Sequence, residues 1–192
     1  MKQNYLYMLA FCLILLLTSQ ETNAQTLQYT GGSTVRINIS DGKKSYEFTA
    51  PQIKGRYNGR QKRFEFLMTV SEVSTKQNNS FLLSLFNFIF HTDQSDQVNM
   101  YVYLPSETRN FDNFINPKTL LLTGQVEIAG KTYQLPITMN LKYTSGTLYY
   151  GLQGQFSSDF GVITASADEK PIYPREVQFV VPESPMGIYL EE

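Results

Sequence analysis

His91 is the only imidazole in this 192-residue chain, and it stands in the polar stretch His91-Thr92-Asp93-Gln94-Ser95-Asp96. One imidazole rules out multi-histidine metal sites, and any Ser-His-Asp triad would have to be built on it. A lone histidine in a polar loop is ordinarily a solvated side chain, so His91 is expected to carry no catalysis. Asp93 and Asp96 offer oxygen ligands for calcium, but the stretch lacks the regular ligand spacing of an EF-hand loop. Glu47, Glu65, Glu127 and Glu176 are the candidates for paired-carboxylate hydrolysis, which needs two acids at a set separation in space. Each falls at a polar position of an alternating segment, where a charged side chain is the ordinary filler. Thr30-Gly31-Gly32-Ser33 has neither the lysine nor the spacing of a phosphate-binding loop. Asn38-Ile39-Ser40 and Asn78-Asn79-Ser80 match the glycosylation acceptor, a triplet common by chance. The residues therefore point away from an enzyme, with no cofactor and no resident metal expected.

The only cysteine, Cys12, lies in an apolar run from Tyr5 to Leu17 that follows Lys2 and precedes a polar stretch ending at Thr22-Asn23-Ala24. This is the layout of a secretory signal, with small or tolerated side chains at the cleavage pocket. The run is shorter than the roughly 20 residues that span a bilayer, which argues against a retained anchor. Phe11 stands where lipoprotein processing wants a small residue, so lipidation at Cys12 is not expected. We expect a signal peptide over residues 1–24 and a mature chain from Gln25 to Glu192, periplasmic or secreted, forming one domain. Loss of the leader removes the only thiol, so no disulfide holds the mature domain and its stability must come from packing. The formal charge stays near −1 with or without the leader, which leaves no electrostatic footprint for nucleic acid or acidic membranes. The one local basic run, Arg56 to Arg63, contains Asn58-Gly59 and reads as a solvated turn.

Behind the leader the dominant pattern is apolar alternation with a period of two, the mark of strands with one dry and one wet face. Val35, Ile37 and Ile39 form one such set, Tyr46, Phe48 and Ala50 a second, and Phe64, Phe66, Met68 and Val70 a third. The clearest stretch runs from Lys118 to Phe156, where Ala129-Gly130-Lys131 and Thr144-Ser145-Gly146 separate three alternating runs into a meander of hairpins. Pro136 falls on the polar face of the middle run, where the missing N–H calls for an edge or a bulge. Asn99 to Leu104 and Arg175 to Val181 are further strands, and Pro182 to Gly187 reads as a strand end followed by an irregular tail. Ser80 to Phe90 is too uniformly apolar to alternate, and Asn78-Asn79-Ser80 supplies capping residues. A short helix is the first choice there and a buried strand the second. The count is about eight antiparallel strands and one short helix in an all-β chain. Barrel and sandwich both fit, and closure into a barrel also removes exposed edges.

Leu122-Thr123-Gly124-Gln125-Val126-Glu127-Ile128-Ala129-Gly130-Lys131-Thr132-Tyr133, followed by Leu135-Pro136-Ile137, resembles a hairpin of YceI-like proteins. Phe64-Glu65-Phe66 leading towards Ser84-Leu85-Phe86-Asn87, and Phe156-Ser157-Ser158-Asp159-Phe160-Gly161-Val162, lie where that family would have them. The similarity runs loosely from Ser33 to Val181. It implies an antiparallel lipocalin-like barrel exported to the bacterial periplasm, whose interior in some members holds a long polyisoprenoid chain. The chain departs from the pattern at Thr92 to Gln97, which replaces a Tyr-Pro followed by a Phe-containing strand, and it lacks an early tryptophan.

Two functions of different class follow. In the first, a carrier takes an apolar, lipid-like chain into the lumen, lined by Phe64, Phe66, Met68, Leu122, Val126, Leu135, Ile137, Met139, Leu148, Tyr150 and Leu152. In the second, the interior is filled and a structural or interaction protein of the cell envelope meets its partner through Tyr101, Tyr103 or Tyr149. Strand tilt and shear decide between a cavity and a filled core, and neither is written in the periodicity.

Overall fold

The computed structural model describes residues 26–28, 33–59, 61–75, 80–106, 108, 111–164 and 170–189. The expected leader, Gln25, Thr30 to Gly32, Asn78 and Asn79 lie outside the described residues.

The elements in chain order are β1 (Thr26–Gln28), β2 (Val35–Ser40), β3 (Ser45–Ala50), β4 (Ile53–Asn58), β5 (Arg63–Thr69), β6 (Ser74–Thr75) and α1 (Ser80–Phe90). There follow β7 (Gln97–Tyr103), a 3₁₀ turn (Phe111–Phe114), β8 (Lys118–Ile128), β9 (Lys131–Thr144), β10 (Thr147–Ser157) and β11 (Glu176–Tyr189). Every strand pairing is antiparallel. Eight strands close a ring in the order β1-β4-β5-β7-β8-β9-β10-β11, with β11 returning to β1. At its other end β11 pairs with β2, which carries β3 and β6 as a side branch. The fold is thus the expected all-β antiparallel barrel with one short helix, built from eleven described strands instead of about eight.

Alternation produced the strands it promised. Along β5 the burial alternates residue by residue, with Phe64, Phe66 and Met68 inside. The β8-β9-β10 meander is present, and its two turns, Ala129-Gly130 and Ser145-Gly146, have positive φ at both residues. That is the two-residue hairpin geometry whose twist matches the flanking strands. Three strands had no visible pattern. In β4 the inward positions are Ile53, Gly55 and Tyr57, so a glycine interrupts the apolar alternation, while β1 and β6 are three and two residues long.

The tail expected after Val181 is corrected. β11 continues through Pro182 and Pro185 to Tyr189, pairing with β10 as far as Leu148↔Met186 and then with β1. The register shifts between Tyr150↔Ser184 and Leu152↔Val181, so β11 holds one extra residue there, next to Pro182. A bulge absorbs a proline that a regular ladder would exclude. Pro136 finds another solution. Its partner on β8 is Thr123, while the β9–β10 ladder ends one residue away at Ile137↔Gly154, so no N–H is required on that side.

Over Ser80–Phe90 the first choice, a helix, is the observed one. Leu82, Leu85, Phe86, Ile89 and Phe90 are buried at the spacing of one helical face. The helix ends at His91, whose φ of 48° is left-handed, and the Thr92 N–H donates to the Asn87 carbonyl at 3.3 Å. This is the wide hydrogen bond of a Schellman motif.

Candidate ligand lumen

Ten of the eleven residues expected to line the lumen are buried on the inner wall: Phe64, Phe66, Met68, Val126, Leu135, Ile137, Met139, Leu148, Tyr150 and Leu152. Leu122 is only half-buried. The β7–β8 register stops at Val102↔Gly124, so the first part of β8 runs past the end of β7, and Leu121 on its other face is 85% exposed.

Aromatic rings pack against one another across the inner wall. Phe66 on β5 and Tyr150 on β10 lie 5.3 Å apart between ring centroids. At the end of the barrel where β4 passes to β5 and the 144–147 turn joins β9 to β10, Phe64 meets Tyr57 and Phe111, and Phe111 in turn meets Phe114 and Tyr143. The 3₁₀ turn thereby caps that mouth. At the opposite end α1 fills the space beside β3 and β11, with Phe86 on Phe48 at 5.1 Å, Phe86 stacked on Phe90 at 4.3 Å and Phe90 against Phe179. Burial pushes the Tyr57 phenol above its ordinary range.

Two inward glycines make this packing possible. A Cβ at Gly55 would stand 2.8 Å from the Phe66 ring, and one at Gly124 would strike Ile137 Cδ1 and lie 3.1 Å from the Tyr101 carbonyl oxygen. Tyr57, Phe111 and Phe114 are buried inward residues that the periodicity did not single out. The first is hidden behind Gly55, and the other two belong to a turn between strands with no period to read.

The outer wall carries the polar chemistry. Glu65 accepts from Arg56 Nε at 2.6 Å, from the Arg63 guanidinium at 2.8 Å and from Asn58 Nδ2 at 3.1 Å. Partial burial alone would raise its carboxyl, but these hydrogen bonds outweigh it and hold the group below its ordinary value. The Arg63 guanidinium also lies 4.3 Å from the Tyr101 ring centroid. Tyr101 donates to Glu127, and Tyr103 donates to Gln125. Two of the tyrosines proposed for partner contact are therefore engaged within the sheet, and Tyr149 is half-buried on β10. An outer hollow of about 490 Å³ lies over β4, β5 and β7, and a second of about 560 Å³ lies where β9 and β10 part beyond Gly154. Both open on the outside of the wall. His91, Asp93 and Asp96 form the turn after α1, and among the described residues no three His, Cys, Asp or Glu side chains group to hold a metal. No helix among the described residues is long and apolar enough to cross a membrane.

No protein-family model and no curated protein sequence matches the chain. Solved structures do. A polyisoprenoid-binding domain from Saccharophagus degradans implicated in plant cell wall breakdown superposes with a TM-score of 0.54 at 13% identity, covering 86% of this chain and 99% of that one. Burkholderia cenocepacia BcnA superposes at 0.51 with 12% identity, covering 78% and 94%. A Campylobacter jejuni YCEI protein aligns at 0.46 with 11% identity, covering 72% and 83%. The chain has the barrel fold of the polyisoprenoid-binding domain, the fold that its resemblance to YceI-like proteins led us to expect.

Proposed function

We propose that the chain is a non-catalytic carrier that is exported after cleavage before Gln25 and holds an apolar, chain-like lipid of polyisoprenoid type in its lumen. The observation that carries this reading is the inner wall: in a barrel whose fold spans 99% of a polyisoprenoid-binding domain, ten of the eleven named inward residues of β5, β8, β9 and β10 are buried, Leu122 being the exception. Apart from the Tyr150 phenol, such a wall offers dispersion contacts and little hydrogen bonding, which suits a hydrocarbon chain better than a polar substrate.

A second reading, a structural or interaction protein with a solid interior, is favoured by the Phe66–Tyr150 contact. A chain could pass that point only if one ring turned aside.

Extraction of the purified protein with organic solvent followed by mass spectrometry separates the two, because the carrier yields a stoichiometric apolar chain and the solid barrel yields none. Met139→Arg sharpens the result, Met139 being fully buried in the middle of β9. In a carrier the long side chain can reach along the lumen to a mouth, so lipid is lost while circular dichroism keeps its β signature. In a solid barrel the unpaired charge unfolds the domain, at a cost of several kcal/mol against a total stability of about 5–15 kcal/mol. Unfolding of the variant, with no lipid in the parent extract, would refute the carrier.

A further inference from the structure

Three exposed apolar side chains lie at the end of the barrel plugged by α1. Ile163 and Ile172 form an isolated antiparallel bridge, exchanging hydrogen bonds of 3.0 and 2.9 Å. Ile172 is buried there and Ile163 is half-buried. Alternation then turns their neighbours Val162 and Tyr173 to the same outer side, where they are 48% and 51% exposed. The turn at Gly161 brings this strap onto the helix, since a Cβ there would lie 3.6 Å from Phe88 Cζ. Phe88 is the aromatic residue that α1 leaves outside the core. Behind the strap, Phe160 packs on Phe156 and Tyr133, closing the barrel beside the point where the β9–β10 ladder ends.

We infer that Phe88, Val162 and Tyr173 form a docking patch that seats this end of the barrel on a lipid bilayer. The area is decisive. Three side chains less than or about half exposed offer roughly 250 Å², far below the ~800 Å² per partner that a stable protein interface buries. A bilayer needs no complementary partner surface, and a few aromatic and aliphatic side chains set among polar ones suffice for interfacial anchoring. Asp159, Lys170 and Arg175, exposed and within three residues of Val162 or Tyr173 in sequence, carry both signs of charge, so a zwitterionic surface is sufficient. The purpose of the docking rests on the carrier reading, because an apolar chain cannot cross water on its own, but the docking itself is measurable whatever the lumen holds.

The chain contains no tryptophan, so a single introduced indole reports on its own position. In the full chain, Val162→Trp should show a blue-shifted emission on addition of phosphatidylcholine vesicles and should be quenched by brominated lipid. Leu121→Trp, at the far end of the barrel and more exposed, should show neither effect. Adding Tyr173→Asp to Val162→Trp should abolish the shift while the far-ultraviolet circular dichroism is unchanged. An unshifted Val162→Trp, an equal response at Leu121→Trp, or a shift that survives Tyr173→Asp would overturn the proposal. So would light scattering showing that Tyr173→Asp separates a dimer, since the patch would then join two copies. A docking signal without any lipid in the solvent extract would sink the carrier reading and leave the docking intact, and the converse result would do the reverse.

Discussion

Phe66 and Tyr150 meet at 5.3 Å although their strands, β5 and β10, lie on opposite sides of the eight-strand ring. Rings that touch across a barrel make its waist part of the core. Phe66→Ala should lower stability by about 3–5 kcal/mol, the usual cost of emptying a buried aromatic site. The same variant should co-purify more apolar chain per barrel than the parent protein. Urea unfolding checks the first outcome and solvent extraction the second. A stability change below about 1 kcal/mol would mean that the contact is not formed in solution.

Gly124 lies under Ile137 and beside the Tyr101 carbonyl oxygen, on the wall where β7 ends. Gly124→Ala should cost about 1–3 kcal/mol as overpacking, because a backbone oxygen cannot move aside as a side chain can. Ile137→Val in the same chain should return part of that loss. A double-mutant cycle reads the coupling, and purely additive effects would contradict the packing described.

Glu65 accepts hydrogen bonds from two arginines and an asparagine, and its carboxyl is held below its ordinary value of 4.5. The folded state therefore binds the proton less readily than the unfolded chain. The resulting stability is fully present above pH 4.5 and is lost as the pH falls through the lower, folded value. Glu65→Gln should flatten the fall of stability with acid below pH 4.5, measured by thermal melts at a series of pH values. Parallel curves for the two proteins would exclude the role. The effect should be modest, since Arg56 is 61% exposed.

His91 serves the backbone. It holds the left-handed position that ends α1, a conformation that costs L-residues about 1–2 kcal/mol and glycine almost nothing. His91→Gly should leave stability unchanged or raise it, and His91→Val should lower it by about 1–2 kcal/mol. If the imidazole itself mattered to the fold, both variants would lose stability alike in chemical denaturation.

Within β5, β9 and β10 the sequence by itself determined which side chains face inward, because a strand's period of two is a local property and each of these strands has an apolar residue or a glycine at nearly every inner position. The hairpins were equally local, since Ala129-Gly130 and Ser145-Gly146 sit between runs of opposite direction and accept the positive φ that the turn demands. Tertiary structure alone decided the closure. β11 joins the ring through a stretch with two prolines, and its bulge beside Pro182 exists only because β10 is already in place to pair with it. Leu122 carries the same inner-face pattern as Val126, yet it is only half-buried because β7 stops short of it, and the length of a neighbouring strand cannot be read from the strand itself. The filling of the lumen is likewise non-local: Phe66 reaches Tyr150, 84 positions away in sequence, only because the ring is small enough and Gly55 leaves the room.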